Sequence, residues 1–232
     1  MAEARIATWW VLWVPLLLVG CKDAAGPAVP SQKFSFKAQN EIQQVGTDAA
    51  SAQVAVRFSV SLRGDVDRAD IAKIQQVDIL WPNNYVRTPI LSGFQPDGDS
   101  LTATRLLTDR TEGLPMGTYT LEVLCQDGQQ IEDWQYCSGN LLSPPTINDL
   151  TTDSSSVYLA WNPPYQPHRW RLYIDRVQPA PTTTVTEDNQ GTANGGSIRA
   201  AFDYDFQPDE AYNLVMEMED ACNLRVIRFP IP

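Results

Sequence analysis

The sequence has a single histidine, and this scarcity limits the catalytic chemistry open to the chain. His168 is the only His among 232 residues. A Ser-His-Asp or Cys-His arrangement could be built only around it, and a zinc site would have to recruit carboxylates or cysteines. Because His168 ends the proline-rich segment 163–168, we expect it to lie on an exposed loop. The sequence therefore predicts no catalytic residue, no cofactor and no metal ligand.

Basic residues are also scarce. The chain has 17 Lys and Arg against 28 Asp and Glu, a net charge of −11. Binding to nucleic-acid phosphates calls for clustered Lys and Arg, and so does binding to anionic lipid headgroups. We expect no nucleic-acid partner, and any membrane attachment must depend on something other than a basic patch.

The most hydrophobic segment is too short to cross a bilayer. It covers residues 6–19, fourteen residues without a charge, after a head that carries Arg5. A spanning helix needs about 20 apolar residues, whereas a shorter run after a basic head is typical of a secretory signal peptide. We predict that residues 1–20 are a cleaved signal peptide rather than a retained helix or a core helix.

This segment ends in a motif with specific spacing. Leu18-Val19-Gly20-Cys21 resembles the lipobox of bacterial lipoproteins, in which a Leu, a small or branched residue and a Gly or Ala precede an acylated Cys. The resemblance implies that the Cys21 thiol carries a diacylglyceryl group and that Cys21 begins the mature protein. Acyl chains then hold the protein on a membrane without spanning it. The alternative is an ordinary signal peptide with a chance cysteine.

The residues after Cys21 predict a tether and a location. Residues 21–32 are small, polar or proline and show no hydrophobic period, so they predict a flexible spacer that could reach about 35 Å when extended. Lys22 stands where the inner-membrane sorting pattern of the lipoprotein family has an Asp. The resemblance implies a bacterial cell envelope location, with the outer membrane favoured and its periplasmic or surface face left open.

The rest of the chain has a hydrophobic period of two, which is typical of half-buried strands. Apolar and polar residues alternate at 54–62 and at 119–125, and the second run leads into Asp127-Gly128, a hairpin signal. Strands at this spacing indicate an all-β sandwich. Because Ser143-Pro144-Pro145 breaks the series, we expect one domain at 33–142 and a second at 143–232.

Two motifs of the second half resemble the fibronectin type III family. Residues 157–164 followed by 170–174 are similar to its second and third strands, and residues 206–212 match its Leu-x-Pro-x-x-x-Tyr corner with Phe in place of Leu. The resemblance implies that Trp161 lies in the core and that the Tyr212 hydroxyl bonds back to the backbone.

The first half carries a weaker version of the same corner. Leu114-Pro115-Met116-Gly117-Thr118-Tyr119 resembles an immunoglobulin-like relative, with its Pro one position out of place. We therefore predict an all-β chain of two tandem β-sandwiches, immunoglobulin-like at 33–142 and fibronectin type III-like at 143–232.

An odd number of cysteines remains once Cys21 is acylated. They are Cys125, Cys137 and Cys222, and outside the cytoplasm a disulfide between two of them is plausible. We favour a bridge from Cys125 to Cys137 across the Asp127-Gly128 region. A bridge from Cys222 that ties the two domains together is the alternative.

Seven acids without an intervening base stand near the C-terminal end. The simplest interpretation is a solvated strand face, with Met216 and Met218 pointing inward. A divalent-cation site and a pair of hydrolytic carboxylates are alternatives. The seven are Asp203, Asp205, Asp209, Glu210, Glu217, Glu219 and Asp220.

Two loops are the most credible contact surfaces, at 162–169 and at 182–197. The second is long for a connection in a compact sandwich. Trp134 and Tyr165 are expected to be exposed aromatics that could stack on sugars or anchor a protein. The possible binding residues of the loops are Tyr165, His168, Trp170, Asn189 and Asn194.

Together these features predict a non-enzymatic, lipid-anchored envelope protein that acts as a binding or adaptor module. Its partners would be the membrane, through the acyl anchor, and an envelope protein or a glycan. A surface adhesin or carbohydrate-binding protein is the main alternative, and a small envelope hydrolase with paired carboxylates is a further one.

Overall fold

The computed structural model describes residues 34–63, 71–82, 86–90, 93–97, 100–178, 180–186 and 189–231. The predicted signal peptide, the lipidation site Cys21 and the tether lie outside these residues. Within the described ranges, no helix is both long enough and apolar enough to cross a membrane. The strands are β1 (Phe34–Val45), β2 (Gln53–Arg63), β3 (Ile74–Leu80), β4 (Arg87–Pro89), β5 (Gln95–Asp97), β6 (Ser100–Leu107), β7 (Gly117–Cys125), β8 (Gln130–Cys137), β9 (Thr146–Thr152), β10 (Ser156–Asn162), β11 (His168–Gln178), β12 (Thr183–Thr184), β13 (Asn189–Ala193), β14 (Ile198–Asp203), β15 (Ala211–Glu219) and β16 (Asn223–Ile231), with a short 3₁₀ helix at Ala49–Ser51.

Strands β1 to β8 form the first sandwich. One of its sheets contains β1, β2, β6 and β5, and the facing sheet contains β4, β3, β7 and β8. Alternate residues of β2 and β7 point inward, so the Phe58 ring packs on Trp81 and Tyr119 with centroid distances of 5.7 and 6.2 Å. The β7–β8 hairpin turns at Asp127-Gly128, which confirms the hairpin prediction.

Strands β9 to β16 form the second sandwich. The sheet of β14, β10 and β9 faces β12, β11, β15 and β16, and β13 also pairs with β11. Trp161 is fully buried, as the resemblance implies, and Met216 and Met218 point into the same core, as the residue pattern predicts. The fold is thus the predicted all-β arrangement of two tandem immunoglobulin-like and fibronectin type III-like β-sandwiches.

Each sandwich has a tyrosine near the start of a strand that follows a corner, Tyr119 in β7 and Tyr212 in β15. The Tyr119 hydroxyl donates to the Pro115 carbonyl at 2.9 Å. The Tyr212 hydroxyl accepts from the Gln207 amide at 3.3 Å and donates to the Glu210 carboxylate. Both hydroxyls therefore tie a strand to the preceding loop, and the shorter backbone bond is in the first sandwich, where the sequence match is weaker.

The two sandwiches share a sheet. β1 of the first pairs in parallel with β16 of the second, from Asn40 opposite Asn223 to Val45 opposite Arg228. This pairing joins the two strand sets into one nine-stranded sheet. The smaller sheets cover its two halves separately, so the cores are distinct although the backbone hydrogen bonding is continuous.

Buried polar side chains close the junction between the sandwiches. The Asn40 side-chain amide donates to Asn223 Oδ1 at 2.9 Å. The Arg225 guanidinium donates to the Leu142 carbonyl at 2.9 Å and to Gln44 Oε1 at 2.6 Å. Burial lowers the pKa of the Arg225 guanidinium. Because buried polar groups are costly when unpaired, these bonds specify how the two units dock.

The disulfide differs from the pair that we favoured. Cys137 bonds to Cys222, with a Cα–Cα distance of 5.7 Å, and Cys125 is a buried free thiol. The Cys125–Cys137 prediction is wrong because the β7–β8 register places Cys137 opposite Gly117. Cys125 lies at the other end of the hairpin, about 26 Å away at 3.3 Å per residue. The bridge instead links the two sandwiches.

Candidate functional site

The segment 182–197, predicted as a loop, contains strands β12 and β13, because it pairs with β11. The turn after β13 meets the other predicted contact loop at one end of the second sandwich. The Gly195 amide donates to the Pro164 carbonyl at 3.1 Å. Gly195 has a φ of +78°, a backbone conformation that favours glycine. An ideal Cβ at this position would lie 2.6 Å from Cδ1 of Tyr165, so only glycine lets the ring rest on the backbone here.

Tyr165 is the exposed aromatic of this loop pair. Its side chain remains 85% exposed although the ring contacts Gly195. The loop that carries it is anchored to the segment before β9, because the Gln166 side chain accepts from the Ser143 amide at 2.9 Å and donates to the Leu141 carbonyl at 3.3 Å. The ring is therefore presented on a loop that its own hydrogen bonds hold in place.

A groove of about 570 Å³ lies beside these loops. Three segments contribute to it: the start of β11, the end of β13 with the following turn, and the β15–β16 turn. The segments meet because Arg169 of β11 pairs with both Glu219 of β15 and Thr192 of β13. The lining residues are Pro167, His168, Arg169, Thr192, Ala193, Asn194, Glu219, Asp220 and Ala221. We call this the loop-end groove.

The charges of the loop-end groove are internally paired. Arg169 Nη2 lies 2.9 Å from Glu219 Oε2, and Lys37 of the first sandwich binds Glu219 Oε1. Burial alone would raise the pKa of Glu219, but the Lys37 and Arg169 cations hold that pKa below its usual value. The Asp220 carboxylate accepts from the Cys222 amide at 2.8 Å and from Asn223 Nδ2.

The acidic segment gives no cation site in the described residues. Across them, no group of three or more His, Cys, Asp or Glu side chains is arranged to hold a metal ion. Glu217 and Glu219 share one face of β15, as expected, and both form ion pairs there, with Arg171 and with Lys37 and Arg169.

His168 is not the exposed loop residue that the sequence predicts. It begins β11, opposite Ala193 of β13, and it is only 5% exposed. Its Nδ1 lies 2.7 Å from the Gln166 carbonyl, which can only accept, so Nδ1 carries the proton. Nε2 is buried without a hydrogen-bond partner among the described residues. Pairing with β13 extends the strand to His168 and buries it.

Of the other predicted binding residues, Asn194 lines the loop-end groove, whereas Tyr165, Trp170 and Asn189 do not. Asn194 is exposed. Trp170 packs edge-to-face on Trp161 at 5.3 Å and against the second core. Asn189 is exposed but lies opposite Leu172, three residues along β13 from the groove residue Thr192.

The predicted contact loop at 162–169 includes Arg169 but does not single it out, and the β15–β16 turn was not predicted as part of this site. In that turn the Asp220 amide donates to the Asn223 carbonyl at 3.0 Å. Its position beside β11 depends on strand register, which the residue pattern does not encode.

A second exposed aromatic surface lies on the first sandwich. Trp134 is 69% exposed, as predicted, and Tyr136 shares its face of β8, an edge strand of the smaller sheet. Met116 is exposed as well. None of these three residues lines the loop-end groove.

Fold and site together define a tandem β-sandwich protein with a polar groove at one loop end. No protein-family model matches the chain, and no curated protein matches its sequence. Among solved structures, a DUF4785 family protein from Legionella pneumophila is 8% identical, with a TM-score of 0.30, over 85% of this chain and 56% of that one. The chain therefore spans little more than half of that protein.

Two further solved structures are similar at the same distant level. A two-domain fibronectin type III segment of chicken tenascin is 12% identical over 85% of this chain and 99% of that one, with a TM-score of 0.27. The BSP domain of a biofilm associated protein is 13% identical over 86% of this chain and 29% of that one, with a TM-score of 0.25.

Proposed function

We propose that this protein is a lipid-anchored component of the bacterial cell envelope that works as a non-catalytic binding or adaptor module. The observation that carries the proposal is the loop-end groove, where an ordered loop pair presents an exposed ring beside polar side chains. In this account, the acyl group on Cys21 supplies localisation, residues 21–32 supply reach, and the groove supplies recognition. An outer-membrane location is part of the proposal.

The anchor is tested by metabolic fatty-acid labelling. We expect the label to be incorporated by the native chain and lost in Cys21→Ser, because the thiol is the acylation point. Cys125→Ser, which changes another cysteine, should keep the label. Label retained in Cys21→Ser would contradict the anchor. In a host with two membranes, Lys22→Asp should move the protein from the outer to the inner membrane fraction.

Recognition is tested by placing a photo-crosslinking amino acid at Asn194 in intact cells. Asn189 is the matched control, since it is also an exposed asparagine of the second sandwich but lies outside the groove. We expect adducts with envelope material from position 194 and not from position 189. Absence of adducts from 194, or identical adducts from both, would overturn the binding role assigned to the groove.

A surface adhesin or carbohydrate-binding protein is the second candidate. The exposed ring of Tyr165 favours it, because such a ring offers an apolar face at low conformational cost. The cations around Glu219 disfavour a hydrolase that uses this residue as its general acid. A general acid requires a raised pKa, whereas the pKa of Glu219 is held low by its cationic neighbours.

A further inference from the structure

We propose that the loop-end groove binds an uncharged sugar residue of an envelope glycan, with the Tyr165 ring as its stacking surface. This inference rests on the proposed binding function and specifies the class of ligand. It follows from the charge state of the groove, from the way in which Tyr165 is held, and from the polar side chains beside it.

The paired charges of the groove favour an uncharged ligand. Glu219 is neutralised by Arg169 and by Lys37, and Asp220 is occupied by two donors from its own turn. A carboxylate or phosphate ligand would bring a further negative charge beside Glu219 and Asp220, and a cationic ligand would bring a further positive charge beside Arg169 and Lys37. A ligand that only donates and accepts hydrogen bonds leaves these pairs in place.

Tyr165 is held as a stacking surface needs to be. Its ring contacts the Gly195 backbone, and the side chain is otherwise open to solvent. The C–H groups of a pyranose form an apolar face that can cover such a ring while its hydroxyls point outward. Because Gly195 and the Gln166 hydrogen bonds already order the loop, little conformational entropy is lost on binding.

The neighbouring groups supply the hydrogen bonds that sugar hydroxyls require. Asn194 offers both an acceptor and two donors, and Thr192 offers a hydroxyl that can do either. Both side chains are exposed and line the groove. Arg169 is exposed too, and its guanidinium has further N–H groups beyond the one on Glu219. Tyr165 itself does not line the groove, but its ring contacts Gly195, which directly follows Asn194, so Asn194 is the lining residue next to the ring.

The test is direct binding of the full mature chain, solubilised with its anchor, to a panel of oligosaccharides and peptides. The panel contains neutral oligosaccharides of hexose and N-acetylhexosamine, uronate-rich oligosaccharides and a Lys-rich peptide. Tyr165→Ala should weaken binding of a neutral oligosaccharide by about tenfold or more, and Asn194→Ala should weaken it by less. Trp134→Ala, which removes an exposed ring from the first sandwich, should leave the affinity unchanged.

Because Tyr165 is so exposed, Tyr165→Ala should have the same melting temperature as the native chain. That measurement separates loss of binding from loss of fold. Binding lost in Trp134→Ala and kept in Tyr165→Ala would overturn the inference by moving the site to β8. Binding of only the uronate oligosaccharides or only the peptide would overturn it as well. A protein adduct from Asn194 with no oligosaccharide binding would leave the proposed function standing and refute the sugar assignment.

Discussion

The two sandwiches share one sheet but present different features to their surroundings. The first packs an aromatic core of Phe58, Trp81 and Tyr119 and offers an exposed strand face. The second gathers three chain segments into a groove at its loop end. One wall of that groove, the β15–β16 turn, is held by the first sandwich, because Gln135 of β8 donates to the Ala221 carbonyl at 2.7 Å and Cys137 bonds to Cys222.

The two sandwiches therefore contribute unequally to the groove. The first sandwich supports the β15–β16 turn from outside, through a disulfide, a side-chain hydrogen bond and the Lys37–Glu219 ion pair. The Asn40 amide adds a backbone bond to the Cys222 carbonyl at 2.8 Å. We therefore expect changes at the junction to alter the loop-end groove of the second sandwich, although they lie in the first.

Removing the disulfide that joins the two sandwiches should cause the largest loss of stability. Cys137→Ser should lower the free energy of unfolding by about 2–4 kcal/mol, because the bridge closes a long loop in the unfolded chain; the two cysteines are 85 residues apart. Cys222→Ser should have the same effect, and chemical denaturation measures both. The double variant should cost no more than either single one.

Cys125→Ala is the matched control for the disulfide variants. It removes a buried thiol that is not bridged, so we expect a loss of only about 1 kcal/mol from packing. A loss in Cys125→Ala as large as in Cys137→Ser, with Cys222→Ser near native stability, would show that the bridge does not form as described.

A smaller effect should distinguish the two tyrosine corners. Tyr119→Phe keeps the ring and removes a 2.9 Å hydrogen bond to the Pro115 carbonyl, so it should cost about 1–1.5 kcal/mol of unfolding free energy. Tyr212→Phe removes two hydrogen bonds, the 3.3 Å bond from the Gln207 amide and the bond donated to the Glu210 carboxylate. Because hydrogen bonds to charged groups are the stronger ones, its cost should be larger, about 1.5–3 kcal/mol. Denaturant titration of both variants checks the order, and the reverse order would contradict the geometric argument.

Alternation in the sequence predicted much of each sandwich. The inward positions of β2 and β7 and the burial of Met216 and Met218 follow from a period of two, the hairpin follows from Asp127-Gly128, and the burial of Trp161 is what the fibronectin type III resemblance implies. The exposed ring of Tyr165 follows from its position in a proline-rich loop. These features are local, and a side-chain pattern records them.

The features that join distant segments were not predictable in this way. The parallel β1–β16 pairing depends on backbone groups, which every residue carries, so it leaves no mark on the alternation. The burial of His168 depends on its pairing with Ala193. The wrong cysteine pair was avoidable, however, because a tight hairpin at Asp127-Gly128 already sets Cys125 and Cys137 at different distances from the turn.

Amide hydrogen exchange on the disulfide-bonded full chain tests most directly whether the first sandwich holds the wall of the groove. The decisive groups are the backbone N–H of Asn40, which donates to the Cys222 carbonyl, and the backbone amides that pair β1 with β16 over residues 40–45. Our account predicts that they exchange with the same opening free energy as the central strands β2 and β15. Exchange through a much cheaper opening, with both cores still protected, would show two separately stable sandwiches and contradict the account.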